Sequence, residues 1–285
     1  MPGLKTVSPE YRIGNSRFDF FCTDERGHRH LVEVKACSLV EYGAAMFPDA
    51  PSERAYKHLE ELAELSRRGY RCHVLFVIVH GRPDVFIPNL HTDPALTAGL
   101  SRFKSVEVHA ALLRTEKNGQ AVLAKTTVPV DLNHGSLAES NGGSYLIILE
   151  IQKKIEPEAG SLGRILFKPG WYVYAGSAMK NLAQRISRHQ RKIRKQKHWH
   201  LDYLVPFAAG PIMALPILSY RNLECALARD LHALGGKPSI NGFGSSDCKK
   251  HCPAHLFYFA DSPLLNYNFI SMILRYRHRE AFVKP

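Results

Sequence analysis

The strongest constraint on the fold lies in residues 171–197, where the sequence changes from one periodicity to another. Residues 171–178 read WYVYAGSA and alternate aromatic and β-branched side chains up to a glycine. Leu182, Ile186 and Ile193 then recur at helical spacing. Alternation predicts a half-buried strand, and the second spacing predicts a helix. The segment therefore predicts a strand, a tight turn and a helix, which is a platform for a phosphate-handling site.

The predicted helix carries a concentrated positive charge. Residues 180–197 contain eight Lys or Arg and no acid. Several of these cations recur every three or four residues, so they form a stripe along one side of the helix that attracts a polyanion. The alternative is a solvated helix face, which is what most charge runs are. The predicted nucleic-acid-binding residues are Lys180, Arg188, Arg191, Lys192, Lys195 and Lys197.

The charge is unevenly distributed over the 285 residues, a length that suffices for two domains. Residues 1–140 hold 17 Lys plus Arg against 17 Asp plus Glu, whereas residues 141–285 hold 21 against 9. The net charge of +12 therefore lies in the second half and predicts DNA or RNA as its partner. The sequence shows neither a membrane-spanning apolar run nor a signal peptide, so we expect a cytoplasmic protein without a membrane partner.

Two tyrosines and a glutamate accompany this basic segment. The triplet GSY at 143–145 opens the apolar run LIIL, and Tyr145 lies 29 residues before Tyr174. Glu224 lies on a later helical segment. This order resembles the GIY-YIG nuclease superfamily. The resemblance implies one tyrosine from each of two paired strands, an arginine from the next helix and a metal-binding glutamate. The site residues that it implies are Tyr145, Tyr174, Gly176, Arg185, His189, Glu224 and Asn241.

Three longer sequence motifs point to a narrower family within this superfamily. GWYVYAGSA at 170–178, HWHLDY at 198–203 and GFGSSDC at 242–248 look like a GIY-YIG-like domain of unknown function, over about residues 144–259. In such a site Tyr145 or Tyr174, with His189, prepares the attacking water. Arg185 holds the scissile phosphate, and Glu224 binds the metal.

The first half carries a second candidate site on a predicted hairpin. Glu33 and Lys35 are two residues apart on the second strand, so both project from the same face, and Asp19 lies one strand earlier. Two carboxylates that bind Mg²⁺ beside a lysine are the group that metal-dependent phosphodiesterases use. The alternative is an ordinary amphipathic strand, which is frequent.

The segment that follows predicts a helix and a buried strand. The helix begins near residue 51, capped by Asp49 or Ser52, and Gly69 ends it. Residues 74–79 then form a fully apolar strand. RFDF at 17–20, VEVK at 32–35, FPDAPSER at 47–54 and KHL at 57–59 resemble the nuclease-like domain of the sugar fermentation stimulation protein A (SfsA) family, over roughly residues 11–132.

That resemblance implies a restriction-endonuclease-like, or PD-(D/E)xK, fold. It assigns the active-site positions to Asp19, Glu33 and Lys35, with Glu53 as a fourth member at the helix start. Members of the family usually carry an OB-like nucleic-acid-binding domain ahead of this one. Here the chain begins almost directly at the nuclease-like half, and we expect the basic second half to bind substrate instead.

A Gly/Ser/Asn-rich stretch gives the predicted domain boundary. The expected organisation is an α/β protein with a PD-(D/E)xK domain at 1–134 and a linker at 135–143. A GIY-YIG-like domain at 144–262 and a basic C-terminal helix at 263–285 follow.

The cysteines allow a metal site but do not strongly predict one. Cys225, Cys248, Cys252 and His255 are zinc-ligand types, yet Cys248 and Cys252 are four apart rather than in a close Cys-x-x-Cys knuckle. We therefore expect buried thiols in preference to zinc.

These features together predict a metal-dependent endonuclease that uses Mg²⁺ or Mn²⁺. Its metal ligands are expected to be Asp19 and Glu33 in one domain and Glu224 in the other. One alternative is a non-catalytic DNA-binding regulator of sugar metabolism genes, and another is one catalytic domain beside one binding domain. The sequence leaves open the choice between DNA and RNA and the oligomeric state.

Overall fold

The computed structural model describes residues 3–14, 16–193, 196–246, 248 and 250–283. The chain divides into two compact units, Met1–Glu139 and Ser140–Pro285. Over the described ranges, no helix is both long enough and apolar enough to cross a lipid bilayer.

The first unit is a mixed α/β structure with two sheets. Its elements are β1 (Leu4–Ile13), β2 (Ser16–Asp24), β3 (Arg29–Cys37), β4 (Leu39–Glu41), β5 (Ala44–Phe47), α1 (Glu53–Arg67), β6 (Arg71–Ile78), β7 (Val85–Pro88), α2 (Pro94–Arg102), β8 (Val106–Thr115), β9 (Ala121–Lys125) and α3 (Gly135–Ser140).

The larger sheet has the strand order β1-β2-β3-β6-β8-β9, and β4, β5 and β7 form a small second sheet. Strands β3, β6 and β8 run parallel, while the pairs at both edges are antiparallel. Parallel neighbours need long crossover connections, and here these connections contain α1 and α2. The centre of the sheet is therefore covered by helices, which explains why β6 is almost wholly apolar.

Helix α1 lies where the sequence predicts it. Of the two candidate caps, Ser52 is the N-cap, and its hydroxyl accepts a hydrogen bond from the Ala55 N–H at 3.2 Å. Leu59 and Leu62 are buried in the core of this unit. Burial of each of these side chains contributes about 1.5–3 kcal/mol, so the helix is held firmly against β6 and β8.

The second unit contains one antiparallel five-stranded sheet and four α-helices among its described residues. Its elements are β10 (Gly143–Ile151), β11 (Gly170–Ala178), α4 (Leu182–Gln190), α5 (Leu201–Leu204), β12 (Ala209–Leu218), α6 (Glu224–Ala233), β13 (Lys237–Pro238), β14 (Leu256–Phe259) and α7 (Tyr267–Ala281).

The sheet order is β12-β10-β11-β14-β13. Leu146 and Ile148 of β10 pack in one core with Leu227 of α6 and Phe269 of α7. Because side chains alternate along a strand, Tyr145 projects to the other face of β10. Strand β10 thus separates a core of apolar side chains from a face that carries a tyrosine.

The structure corrects the predicted length of the basic helix, because α4 ends at Gln190, whereas the spacing of Lys192 and Ile193 predicted a longer helix. Gln190 donates a hydrogen bond to the Ile212 carbonyl, and Lys192 Nζ donates to two carbonyls at the start of β12. These bonds hold residues 190–192 against β12. Like charges three or four residues apart also disfavour a longer helix. Lys195 lies outside the described residues.

The structure also differs from the predicted linker at 135–143. Gly135–Ser140 forms α3, and Gly143 already begins β10. Between them, Asn141 accepts hydrogen bonds from the N–H groups of Leu182 and Ala183, at 2.8 and 2.9 Å. This residue caps the start of α4 in place of a local side chain, so the stretch is structured by its contact with that helix.

Candidate functional site

The two tyrosines lie side by side on neighbouring strands. Tyr145 of β10 pairs with Gly176 of β11, and Tyr174 pairs with Ile147, so both tyrosines project from the same face. Their ring centroids are 6.5 Å apart, and both rings are buried. A Cβ atom at Gly176 would approach the Tyr145 ring to 2.5 Å. Glycine at 176 therefore makes room for the Tyr145 ring.

Tyr145 forms one end of a line of three buried polar side chains. Its hydroxyl lies 3.0 Å from Nε2 of His189, on α4, and Nδ1 of the same ring lies 3.6 Å from Oδ1 of Asp202, on α5. Tyr145 is 1% exposed and Asp202 is 0% exposed. A carboxylate facing Nδ1 favours the tautomer with its proton there, so Nε2 accepts the tyrosine proton.

Asp202 is held by several donors at its other oxygen. Oδ2 accepts hydrogen bonds from an Arg188 nitrogen at 3.1 Å and from the backbone N–H groups of His198 and Trp199 at 2.9 and 3.1 Å. These bonds supply the compensation that a buried carboxylate needs. The side chain that orients His189 is thus itself fixed in place.

Two arginines of α4 stack on one indole. The guanidinium carbons of Arg185 and Arg188 lie 4.2 and 4.4 Å from the Trp199 ring centroid. Burial raises the pKa of Tyr145, the positive charge and hydrogen bond of Arg185 oppose this rise, and the charge of Glu224 adds to it. Tyr145 therefore stays a neutral phenol at neutral pH, with an arginine and a glutamate close enough to influence it.

Glu224 begins α6 and contacts a different pair of side chains. Ser177 Oγ donates to its Oε2 at 2.7 Å, and His255 Nδ1 lies 3.0 Å from its Oε1. Burial alone would lower the pKa of His255, but the neighbouring Glu224 carboxylate outweighs burial and raises this pKa to about 9. Each carboxylate oxygen has two lone pairs, so Glu224 retains acceptor capacity for a cation.

Two further predicted residues, Asn241 and Arg188, have different surroundings. Asn241 is exposed in a turn, and no hydrogen bond in the described structure joins its side chain to Tyr145, Tyr174 or Glu224. Arg188 is tied to Asp202 and to the Gln196 carbonyl.

The predicted cationic surface is smaller than the sequence suggests. Lys192 donates hydrogen bonds of 2.7 Å to the carbonyls of Ala208 and Gly210, so its charge serves the structure of the unit. Lys180, Arg191 and Lys197 remain exposed, with the Lys197 ammonium 4.6 Å from the Tyr203 ring centroid. Among the described members of the predicted set, these three cations are therefore the ones available to a ligand.

The first unit brings together a different group around Glu33 of β3. Lys35 Nζ and His58 Nδ1 donate to the same oxygen, Oε1, at 2.5 and 2.6 Å. Glu33 is 4% exposed, and its Oε2 is buried without a hydrogen-bond partner among the described residues. An acceptor of this kind is costly when unpaired, and it is suited to a cation.

Asp19 and Glu53 are more exposed than Glu33. Asp19 Oδ2 accepts a hydrogen bond of 2.7 Å from the Val34 N–H, which ties it to β3. Glu53 lies exposed at the first position of α1. Within the described ranges, neither acid joins Glu33 in a group of three ligands whose donor atoms lie within 4.8 Å of one another. His58 of α1 therefore contacts Glu33. The predicted fourth member of the site, Glu53, does not take that place.

The cysteines of the second unit do come together. Cys225, Cys248, Cys252 and His255 place one ligand atom each within 4.8 Å of all the others. Cys225 is the second residue of α6, whereas the other three lie in the segment that precedes β14. The fold thus joins donors that are up to 30 residues apart.

Two residues of the tyrosine and Glu33 sites, Asp202 and His58, were not predicted from the sequence as site residues. Asp202 and His58 both lie in words that carry the family resemblances, HWHLDY and KHL. Their partners are on other elements, 13 and 25 residues away. The words were the available signal, but only the fold shows which residue of each word faces the site.

Comparison with known proteins gives a match for each half of the chain. Residues 1–120 match the family model described as Sugar fermentation stimulation protein RE domain. Residues 144–277 match Domain of unknown function DUF123. The resemblances to the sugar fermentation stimulation protein family and to a domain of unknown function are thereby confirmed. The second match extends into α7, the helix that the sequence analysis set apart from the domain before it.

Curated relatives match a little under half of the chain. A sugar fermentation stimulation protein homolog from Pyrobaculum neutrophilum is 37% identical over 134 residues, which cover 46% of this chain and 57% of the relative. A homolog from Desulforamulus reducens is 40% identical over 126 residues, covering 44% and 52%. The chain therefore spans about half the length of the curated relatives it matches.

A solved structure, that of Pyrococcus furiosus SfsA in complex with Ca²⁺, is 30% identical and covers 46% of this chain and 56% of that chain, with a TM-score of 0.41.

Proposed function

We propose that this chain, whose residues 1–120 match the sugar fermentation stimulation protein RE domain and whose residues 144–277 match DUF123, is a metal-dependent nuclease. The substrate is DNA or RNA, and the reaction is hydrolysis of a phosphodiester bond. The observation that carries this proposal is the buried line from Asp202 through His189 to Tyr145.

This line provides a route for a proton. The Tyr145 hydroxyl donates to His189 Nε2 and keeps its own lone pairs for a water molecule. As that water attacks phosphorus, Tyr145 takes a proton from it and passes its own proton to Nε2. Asp202 then stabilises the imidazolium that results. Such general-base assistance typically contributes about 10²–10⁴-fold in rate.

Arg185 supplies positive charge at the same place. Its guanidinium is stacked on Trp199 and influences the Tyr145 hydroxyl. In the proposed reaction it binds the scissile phosphate and stabilises the charge that develops on the phosphoryl oxygens. Stacking on the indole restricts the side chain, so less freedom is lost when the phosphate arrives.

Glu224 would hold the metal ion of this second-unit site. Mg²⁺ is bound in nucleotide-processing sites by one or two carboxylates, with waters and substrate phosphates as the other ligands. One carboxylate with unused lone pairs fits that requirement. When bound, Mg²⁺ or Mn²⁺ polarises the phosphoryl oxygen and favours ionisation of the attacking water.

The first unit offers a second candidate centre. Glu33 Oε2 and Asp19 would hold a cation, and Lys35 would face the attacking water or the developing charge. The ion pair of Lys35 and His58 with Glu33 also fits a unit that binds substrate without cleaving it. We therefore propose a PD-(D/E)xK-like fold for the first unit and a GIY-YIG-like fold for the second. The first unit either cleaves substrate or only binds it, and the experiment below distinguishes the two.

Cleavage of labelled DNA and RNA panels, single- and double-stranded, under Mg²⁺ and Mn²⁺ tests the proposal. Wild type should cleave, and Glu224→Gln should lose most of that activity. Lys35→Ala reports on the first unit, where loss of one preorganised charge costs about 10²–10³ in rate. Lys192→Gln, which removes a charge that serves the structure, is the matched control.

The pattern across single and double variants gives the answer. Two activities lost independently indicate two catalytic units. One activity that only Glu224→Gln abolishes leaves the first unit as a binding module. Binding without any cleavage by wild type would overturn the nuclease proposal in favour of a DNA-binding regulator.

A further inference from the structure

We propose that Cys225, Cys248, Cys252 and His255 bind a structural zinc ion. This site goes beyond the proposed nuclease function, because zinc of this kind acts in folding and takes no part in hydrolysis. It also revises the expectation of simple buried thiols, which rested on the wide spacing of the cysteines in the sequence.

The distances fit a tetrahedral site. Zinc binds thiolate at about 2.3 Å, so two sulfurs on one tetrahedral ion lie about 3.8 Å apart. Cys225 Sγ and Cys248 Sγ are 3.4 Å apart, and all four donor atoms lie within 4.8 Å of one another. Small side-chain rotations therefore suffice to place all four around one ion.

His255 supports the metal with a separate observation. Its side chain is 3% exposed, and both ring nitrogens are buried without a hydrogen-bond partner among the described residues. Nδ1 faces Glu224 Oε1 at 3.0 Å. Histidines that bind zinc commonly give their second nitrogen to a carboxylate, which fixes the ring. Here the carboxylate is in place, and the other nitrogen is left for the ion.

The surroundings provide access and compensating charge. Cys225 and Cys252 border a surface cleft that Arg229 and Lys250 also line. Three thiolates and a neutral imidazole leave the site with one net negative charge after Zn²⁺ binds, and the two cations are placed to offset it. The cleft is an entry path for the ion.

The position of this zinc explains what it would stabilise. Cys225 is the second residue of α6, directly after Glu224, and the other ligands lie in the segment before β14. The ion would fasten the start of α6 to that segment. It would thereby hold Glu224 and His255 in the relative positions seen here.

Metal analysis of the purified chain, kept under reductant and dialysed without chelator, tests the proposal in the absence of nucleic acid. We expect one zinc per chain, a large fall for Cys252→Ser, and full retention for the control Cys22→Ala in the first unit. Addition of Co²⁺ to metal-free protein should produce intense visible bands and a thiolate-to-metal charge-transfer band.

Because the Co²⁺ measurement uses wild type alone, it decides the matter even if a variant fails to fold. Less than a tenth of a zinc per chain, together with weak Co²⁺ bands, would overturn the proposal. A Cys225–Cys248 disulfide in protein kept under reductant would overturn it as well. Bound zinc without nucleic-acid cleavage would overturn only the nuclease proposal. Cleavage by a chain without zinc would overturn only the zinc proposal.

Discussion

The Tyr145 hydroxyl lies 3.0 Å from His189 Nε2, although the two residues are 44 positions apart and on different elements. Both side chains are buried, and the contact is made on the face of β10 that is turned away from the α6 and α7 core. A buried phenol with one firm acceptor is a fixed group rather than a mobile one. The predictions below depend on this fixed position.

Gly176→Ala should displace Tyr145. The added Cβ would meet the Tyr145 ring at 2.5–2.7 Å, which is far inside normal contact distance. Overpacking of this kind typically costs about 1–3 kcal/mol, so we expect a lower melting temperature and lost cleavage. The double variant Gly176→Ala with Tyr145→Leu should regain stability but not activity. Equal stability of wild type and Gly176→Ala would contradict this packing.

Asp202→Asn should lower cleavage while the chain still folds. The amide keeps the shape of the carboxylate but removes the charge that faces His189 and Arg188. We expect a loss on the order of 10²–10⁴ in rate, because the histidine then lacks the group that stabilises its charged form. Single-turnover kinetics and a thermal melt on the same preparation check this. A rate within twofold of wild type would show that Asp202 serves only structure.

The exposed cations should set the salt dependence of nucleic-acid binding. Replacing Lys180, Arg191 and Lys197 together by glutamine should weaken binding. It should also reduce the slope of log K against log salt by up to about 3 on duplex DNA, at roughly 0.9 per phosphate contact. Lys192→Gln is the control, since it removes the same charge from a group bonded to two carbonyls. That variant should chiefly lose stability. Equal slopes for wild type and the triple variant would place the binding surface elsewhere.

Local patterns predicted the elements better than the contacts between them. The alternation before Gly176 and the leucine spacing around Leu227 correspond to β11 and α6. The length of α4 was overestimated, because the bonds that end it run from Lys192 to β12, and no local pattern records them.

The same limit applies to the sites. Glu33 and Lys35 share a strand, and period two was enough to place them on one face. The contact of His58 with Glu33 depends on how α1 packs, and the grouping of the four proposed zinc ligands depends on how α6 packs. Spacing in the sequence therefore predicted neither. Asp202 belongs to the motif HWHLDY, which carried the family resemblance. Its contact with His189 is tertiary and could not be predicted from that motif.

Stability of the first unit should fall in mild acid because of His73. It hydrogen-bonds His30 and His109, and burial chiefly lowers its pKa from 6.5 to about 4. Between these values the unfolded chain takes up a proton that the folded chain refuses, so stability is full above pH 6.5 and falls towards pH 4. The loss between pH 7.5 and 5 should be about 2 kcal/mol.

Urea unfolding of wild type and His73→Gln at both pH values measures this contribution together with the coupling of His73 to His30 and His109. The variant should be less stable at pH 7.5 but should lose less on acidification. An equal loss in both proteins would mean that His73 is not held neutral.

The single-turnover cleavage rate of Tyr145→Phe, with Mg²⁺ and the best substrate from the panel, tests the central claim most directly. Removing one hydroxyl leaves the ring in place and strips the water of its proton acceptor. The account predicts a rate lower by about 10²–10⁴, with substrate affinity unchanged and a melting temperature only slightly reduced. Cleavage by Tyr145→Phe at the wild-type rate would contradict it.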